Sequence, residues 1–201
     1  QTLSTLAPLL SPMTEHRATA QTSVSEIDVP FGPAQAAFMH HHTVPPNHFH
    51  QAILLDPGET VCSRSLSQAI SAVYDHHHAL SANFIQSKGR WVQKYSAVDN
   101  APELELVDLT QAGKADVSLQ EHATAMMAST TLTHGPLFQV AVYQLASSER
   151  ILMCAHHLLV DGVSWRILVE DLHTAYTQAR SMLEISLPPV TDSYGSWASG
   201  M

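Results

Sequence analysis

The chain has 201 residues, 45% of them apolar, and 18 acidic against 9 basic side chains give it a formal charge of -9. That is enough apolar material for one sizeable core, and the acidic balance speaks against nucleic acid or an anionic membrane as a partner. No apolar stretch reaches the length of a membrane span, and the opening QTLSTLAPLLSPMTEHRATAQ lacks a basic segment followed by an apolar core, so neither a transmembrane helix nor a secretory leader is expected.

The chain begins on Gln1 and not on Met, which suggests a piece of something longer. Residues 1–28 are rich in Ser, Thr, Ala and Pro without a period and read as a linker or flexible arm, with the packed domain over 29–201. FGPAQAAFMHHH, from Phe31, predicts a short helix with Pro33 in its first turn, ended by Pro45 and Pro46. HQAILLDP, from His50, reads as a strand. RSLSQAISAVYDHHHAL places Leu66, Ala69, Ile70, Val73, His77 and Leu80 along one helical stripe. A strand RWVQKYSA follows a turn at Lys88 and Gly89, and LELVDLT is another short one. Helix returns from Asp116 to about Thr131, with Leu119, Ala123, Met126 and Met127 facing inward. PLFQVAVYQLA and RILMCAHHLL, separated by the polar SSE, predict an antiparallel pair. The last long helix runs from Ser164 to Leu183 with Leu168, Leu172, Ala175, Tyr176, Ala179 and Leu183 inward, and Pro188 and Pro189 bar its continuation. Strands joined by short turns mix with strands separated by helices, so the fold class is an α/β sandwich with a mixed sheet, not a doubly wound parallel sheet.

Cys62 and Cys154 have no CxxC spacing, which argues against a disulfide framework and fits a reducing cytoplasm. The 14 histidines include two runs, His40 to His42 and His76 to His78. Adjacent histidines point in different directions on a helix or a strand, and no cysteine lies at ligand spacing, so no structural metal is expected.

The chemistry-bearing stretch is ILMCAHHLLVDGVSWRILVEDL, Ile151 to Leu172. Strand alternation sets Ile151, Met153, Ala155 and His157 on one face and Leu152, Cys154 and His156 on the other, so one histidine faces a given cleft and its neighbour is a hydrogen-bonded structural residue. Asp161 and Gly162 follow at a turn into helix. Gly162 supplies backbone freedom there, and Asp161 is more readily a buried anchor for backbone N–H groups or for a cation such as Arg166 than a catalytic acid.

His156-His157-Leu158-Leu159-Val160-Asp161-Gly162 matches HHxxxDG and resembles the signature of the condensation superfamily of non-ribosomal peptide synthetases, related in fold to chloramphenicol acetyltransferase. The continuation VSWRILVEDL is more similar to epimerization domains than to domains that form peptide bonds. VPFGPAQAAF resembles the family's opening segment, NHFHQAILL its first strand, HHALSANF its helix end, HGPLF a Gly-Pro-Leu block, and DSYGSWASGM the segment closing the first lobe. Two departures stand out. Ser81 and Asn83 occupy positions where the family usually carries arginines, the first of which pairs with the motif aspartate, so Arg166 becomes the candidate partner of Asp161.

The resemblance implies one lobe of a two-lobed chloramphenicol-acetyltransferase-like fold, with the reaction in a channel between lobes and a second lobe supplying a glutamate. It implies exchange of the Cα proton of an aminoacyl or peptidyl thioester carried on the phosphopantetheine of a peptidyl carrier protein, with no cofactor bound by this lobe. His157 is then the catalytic residue, supported by His156, Asp161, Gly162, Ser164 and Arg166, and the lobe alone is expected to be inactive. A condensation lobe, in which His157 positions an attacking amine, and a non-catalytic docking or remnant lobe are the alternatives.

Overall fold

Leu66, Ala69, Ile70 and Val73 recur at three- and four-residue spacing, and all four are buried on helix α2 (Ser63–His76), which follows α1 (Pro33–His41) in the chain. The structure is a computed structural model that describes residues 28–41, 46–95 and 101–201. The expected arm therefore lies outside the described residues except for Asp28, which forms with Val29 the two-residue strand β1 (Asp28–Val29). Three further helices are α3 (Ala115–Ala128), α4 (Gly162–Arg180) and α5 (Tyr194–Ser199). No described helix is long and apolar enough to cross a membrane.

Six more strands are β2 (His50–Leu55), β3 (Ala82–Ser87), β4 (Arg90–Tyr95), β5 (Leu104–Asp108), β6 (Phe138–Gln144) and β7 (Glu149–His156). The larger sheet has the order β2-β7-β6-β5, antiparallel except for the parallel β5 and β6. The expected antiparallel pair is β6 and β7, in register from Phe138 opposite Ala155 to Gln144 opposite Glu149. One face of that pair, including Val140, Val142, Ile151, Met153 and Ala155, joins the buried stripes of α2 and α4, among them Leu168, Leu172 and Ala175. The other face, Ala141, Tyr143, Leu152 and Cys154, meets Ala123 and Met126 of α3. Helices thus cover both faces, which is why these strands read as near-continuous apolar runs, and the mixed-sheet α/β sandwich is the observed architecture.

The smaller sheet, in the order β1-β4-β3, corrects the sequence reading, which ran a helix end into Phe84. Helix α2 stops at His76, a 3-10 turn over His78–Ser81 keeps Leu80 buried, and Ala82 starts β3. Lys88 (φ 50) and Gly89 (φ 76) make the tight hairpin to β4, both in the left-handed region that a two-residue turn requires. At the other end, α4 starts at Gly162 and stops at Arg180, short of Leu183. Met182 adopts φ 55 just after the helix, and Leu183 is exposed, so the stop is a left-handed residue and not Pro188 or Pro189. Pro45 lies outside the described residues, and α1 has ended at His41, before Pro46 opens a 3-10 turn.

Candidate active site

The last residue of β7, His156, is opposite His50 of β2, and the backbone pairing continues past it. His156 N–H donates to the Leu137 carbonyl (2.8 Å) and His157 N–H to the Phe49 carbonyl (2.7 Å), so both histidines start from a fixed main chain. His156 is wholly buried, edge-on to the rings of Phe38, Phe49 and His50. The Leu158 N–H donates to its Nδ1 (3.2 Å). Burial, and next to it His48, lowers the pKa of His50 below the ordinary imidazole value.

His157 is half-buried and turned to the opposite side. Its ring stacks on Phe49 at 4.7 Å between centroids and 17° between planes. Nδ1 is 2.8 Å from the Val160 carbonyl oxygen, and Nε2 is 2.9 Å from Nε2 of Gln51, whose Oε1 accepts from the Trp165 indole N–H at 3.0 Å. Register explains the meeting. Gln51 is opposite Ala155 on β7, so His157, two residues on, is its diagonal neighbour on the same face.

Asp161 is the N-cap of α4. Its Oδ1 accepts from the backbone N–H groups of Val163 (3.0 Å) and Ser164 (2.8 Å) and from the Ser164 hydroxyl (2.8 Å), while Ser164 Oγ accepts from the Asp161 N–H (3.2 Å). This reciprocal box holds the carboxyl pKa below the usual range, the Ser164 N–H first, then its hydroxyl. Three expectations are corrected. Asp161 is exposed and not buried, because a cap at the first turn satisfies its oxygen at the surface. Arg166 does not pair with it; one helical turn along, Arg166 Nε faces Glu170 Oε1 at 3.8 Å, both exposed. Gly162 has no left-handed φ and opens the helix with nothing within 4 Å of where a Cβ would stand, so backbone freedom is not its contribution. Ser81, in place of an arginine, turns its hydroxyl onto the His78 carbonyl (2.8 Å), and Asn83 lies by Gly135.

A second set of polar groups clamps the motif loop from below. Gln35 of α1, buried, donates from Nε2 to the Leu158 carbonyl (2.8 Å) and accepts at Oε1 from the Tyr194 hydroxyl (2.7 Å), which in turn accepts from the Gly32 N–H (2.9 Å). Gly32 is required by close approach, since a Cβ there would overlap the Tyr194 hydroxyl and sit 2.9 Å from the Trp197 ring. The opening segment, the histidine loop and the closing segment are thereby one unit. They border a cleft of about 490 Å³ onto which His157, Phe49, Asp161, Ser164, Tyr194 and Trp197 open. A larger cavity of about 670 Å³ between the end of β2 and α4 holds Arg180 and Glu59, but these are paired with each other.

Gln35, Gln51, Trp165 and Tyr194 are absent from the sequence-derived set. For Gln51 the available signal was an amide inside an otherwise apolar strand, HQAILL, on the same face as Ile53 and Leu55. The histidine run at the end of α2 also behaves differently from expectation: His76 and His77 meet edge-on at 4.9 Å, and with Asp171 they bring ligand-type atoms within 4.8 Å of one another. His77 Nε2 is 2.6 Å from Asp171 Oδ2, nearer than the roughly 3.3 Å that separates two ligands on a tetrahedral zinc, so this is a hydrogen-bonded pair tying α2 to α4.

Residues 25–201 match the family model described as Condensation domain. The chain is 38% identical over 202 residues to a linear gramicidin synthase protein of Brevibacillus parabrevis, covering 98% of this chain and 4% of that protein. It is 32% identical over 174 residues to a plipastatin synthase protein of Bacillus subtilis (strain 168), covering 85% and 7%. Among solved structures, the epimerization domain from the third module of tyrocidine synthetase B superposes with a TM-score of 0.82 at 31% identity, covering 90% of this chain and 41% of that one. The first condensation domain of the calcium-dependent antibiotic synthetase gives 0.74 at 18% identity, covering 87% and 43%, and shares the fold. The chain thus spans less than half of each matched domain structure and a small fraction of each synthetase, and its architecture is one lobe of the chloramphenicol-acetyltransferase-like fold.

Proposed function

The chain belongs to the condensation-domain family, and from that membership we propose that it is the N-terminal lobe of an epimerization domain of a non-ribosomal peptide synthetase working in the cytoplasm. Its substrate is an L-aminoacyl or peptidyl thioester on the phosphopantetheine of a peptidyl carrier protein. The observation that carries this reading is the position of His157, stacked, anchored at Nδ1 and open to the cleft beside Asp161 and Ser164. Likeness in sequence as well as fold to a domain described as an epimerization domain supports it over condensation, and so does Trp165 of the VSWR continuation, which the site uses.

A thioester acidifies its Cα–H. His157 removes that proton to leave an enolate, and reprotonation on the opposite face gives the D form. A ring on one face cannot deliver to the other, so a second lobe must provide the opposing acid and close the channel against water. His156, Asp161 and Ser164 act by fixing the loop. One observation favours a non-catalytic lobe instead: Ser81 has no guanidinium, and Asp161 is bonded within its cap while Arg166 faces Glu170.

The test presents the complete domain containing this lobe with an L-aminoacyl carrier protein, then releases the residue for chiral analysis, with an acceptor-loaded carrier in a parallel reaction. Appearance of the D-residue is expected. Amide formation without inversion overturns the reading in favour of condensation, and neither product from a folded domain overturns it in favour of a docking lobe.

A further inference from the structure

We infer that Gln51, oriented by Trp165, is a positioning residue that fixes the proton-bearing state of His157 before substrate arrives; the inference deepens the proposed function and rests on it only for its catalytic consequence. Which atoms can donate and which can accept fixes the arrangement. An indole N–H can only donate, so the Gln51 atom 3.0 Å from Trp165 Nε1 is the carbonyl oxygen, and the amide NH2 is turned to His157. An NH2 group can only donate, so His157 Nε2, 2.9 Å away, accepts and carries no hydrogen. At the other end of the ring, the Val160 carbonyl can only accept, so Nδ1, 2.8 Å away, carries the proton. A donor-only group at one end of the chain of contacts and an acceptor-only group at the other leave a single arrangement: a neutral imidazole with its basic lone pair on Nε2.

Three features keep that arrangement in place. Trp165 is buried at the start of α4, so its indole cannot swing away without opening the core shared by α2 and α4. Gln51 sits in the register of β2 with β7, which fixes its Cα relative to the histidine. Phe49, stacked on the ring, blocks its rotation out of the plane that both hydrogen bonds need. The Gln51 N–H is therefore a placeholder on the lone pair. In the reaction it yields that position to the Cα–H of the thioester, and the amide stays tethered to Trp165, ready to return when the proton has left the ring. The chemistry is balanced without a further reagent, because Gln51 neither gains nor loses a proton.

The experiment reads the nitrogen-15 spectrum of the His157 ring in this chain, parent and variants, and the rate of Cα-deuterium loss in the complete domain. In the parent, Nδ1 is expected to show a protonated, pyrrole-type shift and Nε2 an unprotonated, pyridine-type one. Gln51→Leu, close in volume and without a donor, should keep the proton on Nδ1, which the Val160 carbonyl still holds, and move the Nε2 shift toward that of an unbonded lone pair. Gln51→Glu, whose carboxylate can only accept, should put a proton on Nε2. Trp165→Phe, which frees the amide to turn away from the lone pair, should move the Nε2 shift in the same direction with Gln51 still present, so the inference remains testable if one variant folds poorly. In the complete domain, Gln51→Leu should slow deuterium loss on the order of 10-fold, a part of what loss of the ring itself removes. A parent Nε2 that already carries hydrogen, or a Gln51→Glu spectrum identical to the parent's, overturns the inference whatever the domain catalyses. A correct parent tautomer in a domain that does not invert its substrate leaves the inference standing and refutes the functional reading alone.

Discussion

Replacing Asp161 with Ala removes one oxygen on which three donors converge: two backbone N–H groups at 3.0 and 2.8 Å and the Ser164 hydroxyl at 2.8 Å. Were these donors buried, each would be left bare. They lie at the exposed first turn of α4, where water replaces the carboxylate, so the cost is that of an N-cap, about 0.5–2 kcal/mol. For a chain of this length each kcal/mol lowers the melting temperature by roughly 2–4 °C. Asp161→Asn keeps an acceptor and should melt within about a degree or two of the parent at neutral pH, since Asn caps about as well as Asp. Because the folded pKa of Asp161 lies below its ordinary value of 3.8, its charge contributes stability above that value and loses it as pH falls through the folded pKa. The gap between parent and Asn variant should therefore narrow in acid. Calorimetric melts of the three proteins at pH 7 and pH 3 measure both effects. An Ala variant that melts with the parent, or an Asn variant as damaged as the Ala one, would refute the cap as the role of this residue.

In the folded chain an alkylating reagent should mark the exposed Cys62, whose pKa is lowered chiefly by the Ser65 hydroxyl, and spare Cys154, pushed up to about 12 by burial; mass spectrometry before and after denaturation checks this. Burial, despite Asp171, leaves His77 with a folded pKa below 6.5, so the unfolded chain takes up its proton first and stability should decline as pH drops below about 6.5 until the folded ring titrates too. His50 adds a slope of the same sign, and His77→Gln should flatten the remainder in denaturant titrations at stepped pH. A chelator should leave the thermal transition in place, because His77 and Asp171 are already hydrogen-bonded to each other; a drop in melting temperature reversed by zinc would contradict this.

Where a residue's periodicity and its burial agree, the sequence was sufficient. The α2 stripe, the β6 and β7 pair and the alternation that separates His156 from His157 follow from spacing alone, because each buries a continuous apolar face. The breaks between elements were harder. Strand β3 follows α2 through a single 3-10 turn with no Gly or Pro to mark it, so Ala82 to Phe84 read with the helix end and Ile85 to Ser87 carry no assignment from the sequence. The end of α4 depends on a left-handed Met182, which no propensity flags. In the site, the motif residues were legible by local spacing, and Asp161 was recognised as a turn anchor, but its exposure and the separation of Arg166 were not. Gln51 and Gln35 reach the loop from 106 and 123 residues away, and Tyr194 acts through Gln35, 159 residues from it, contacts that only the folded chain creates.

The most direct test of the account is deuterium loss from a Cα-deuterated aminoacyl carrier protein, followed with the complete domain, the same domain bearing His157→Ala, and this chain alone. The ring of His157 is half-buried at a strand end and its removal empties no part of the core, so the variant should melt near the parent. Exchange by the complete domain, a loss of roughly 100-fold or more in the variant, and no exchange by the chain alone are expected. A His157→Ala domain as fast as its parent, or exchange by the isolated chain, would contradict this.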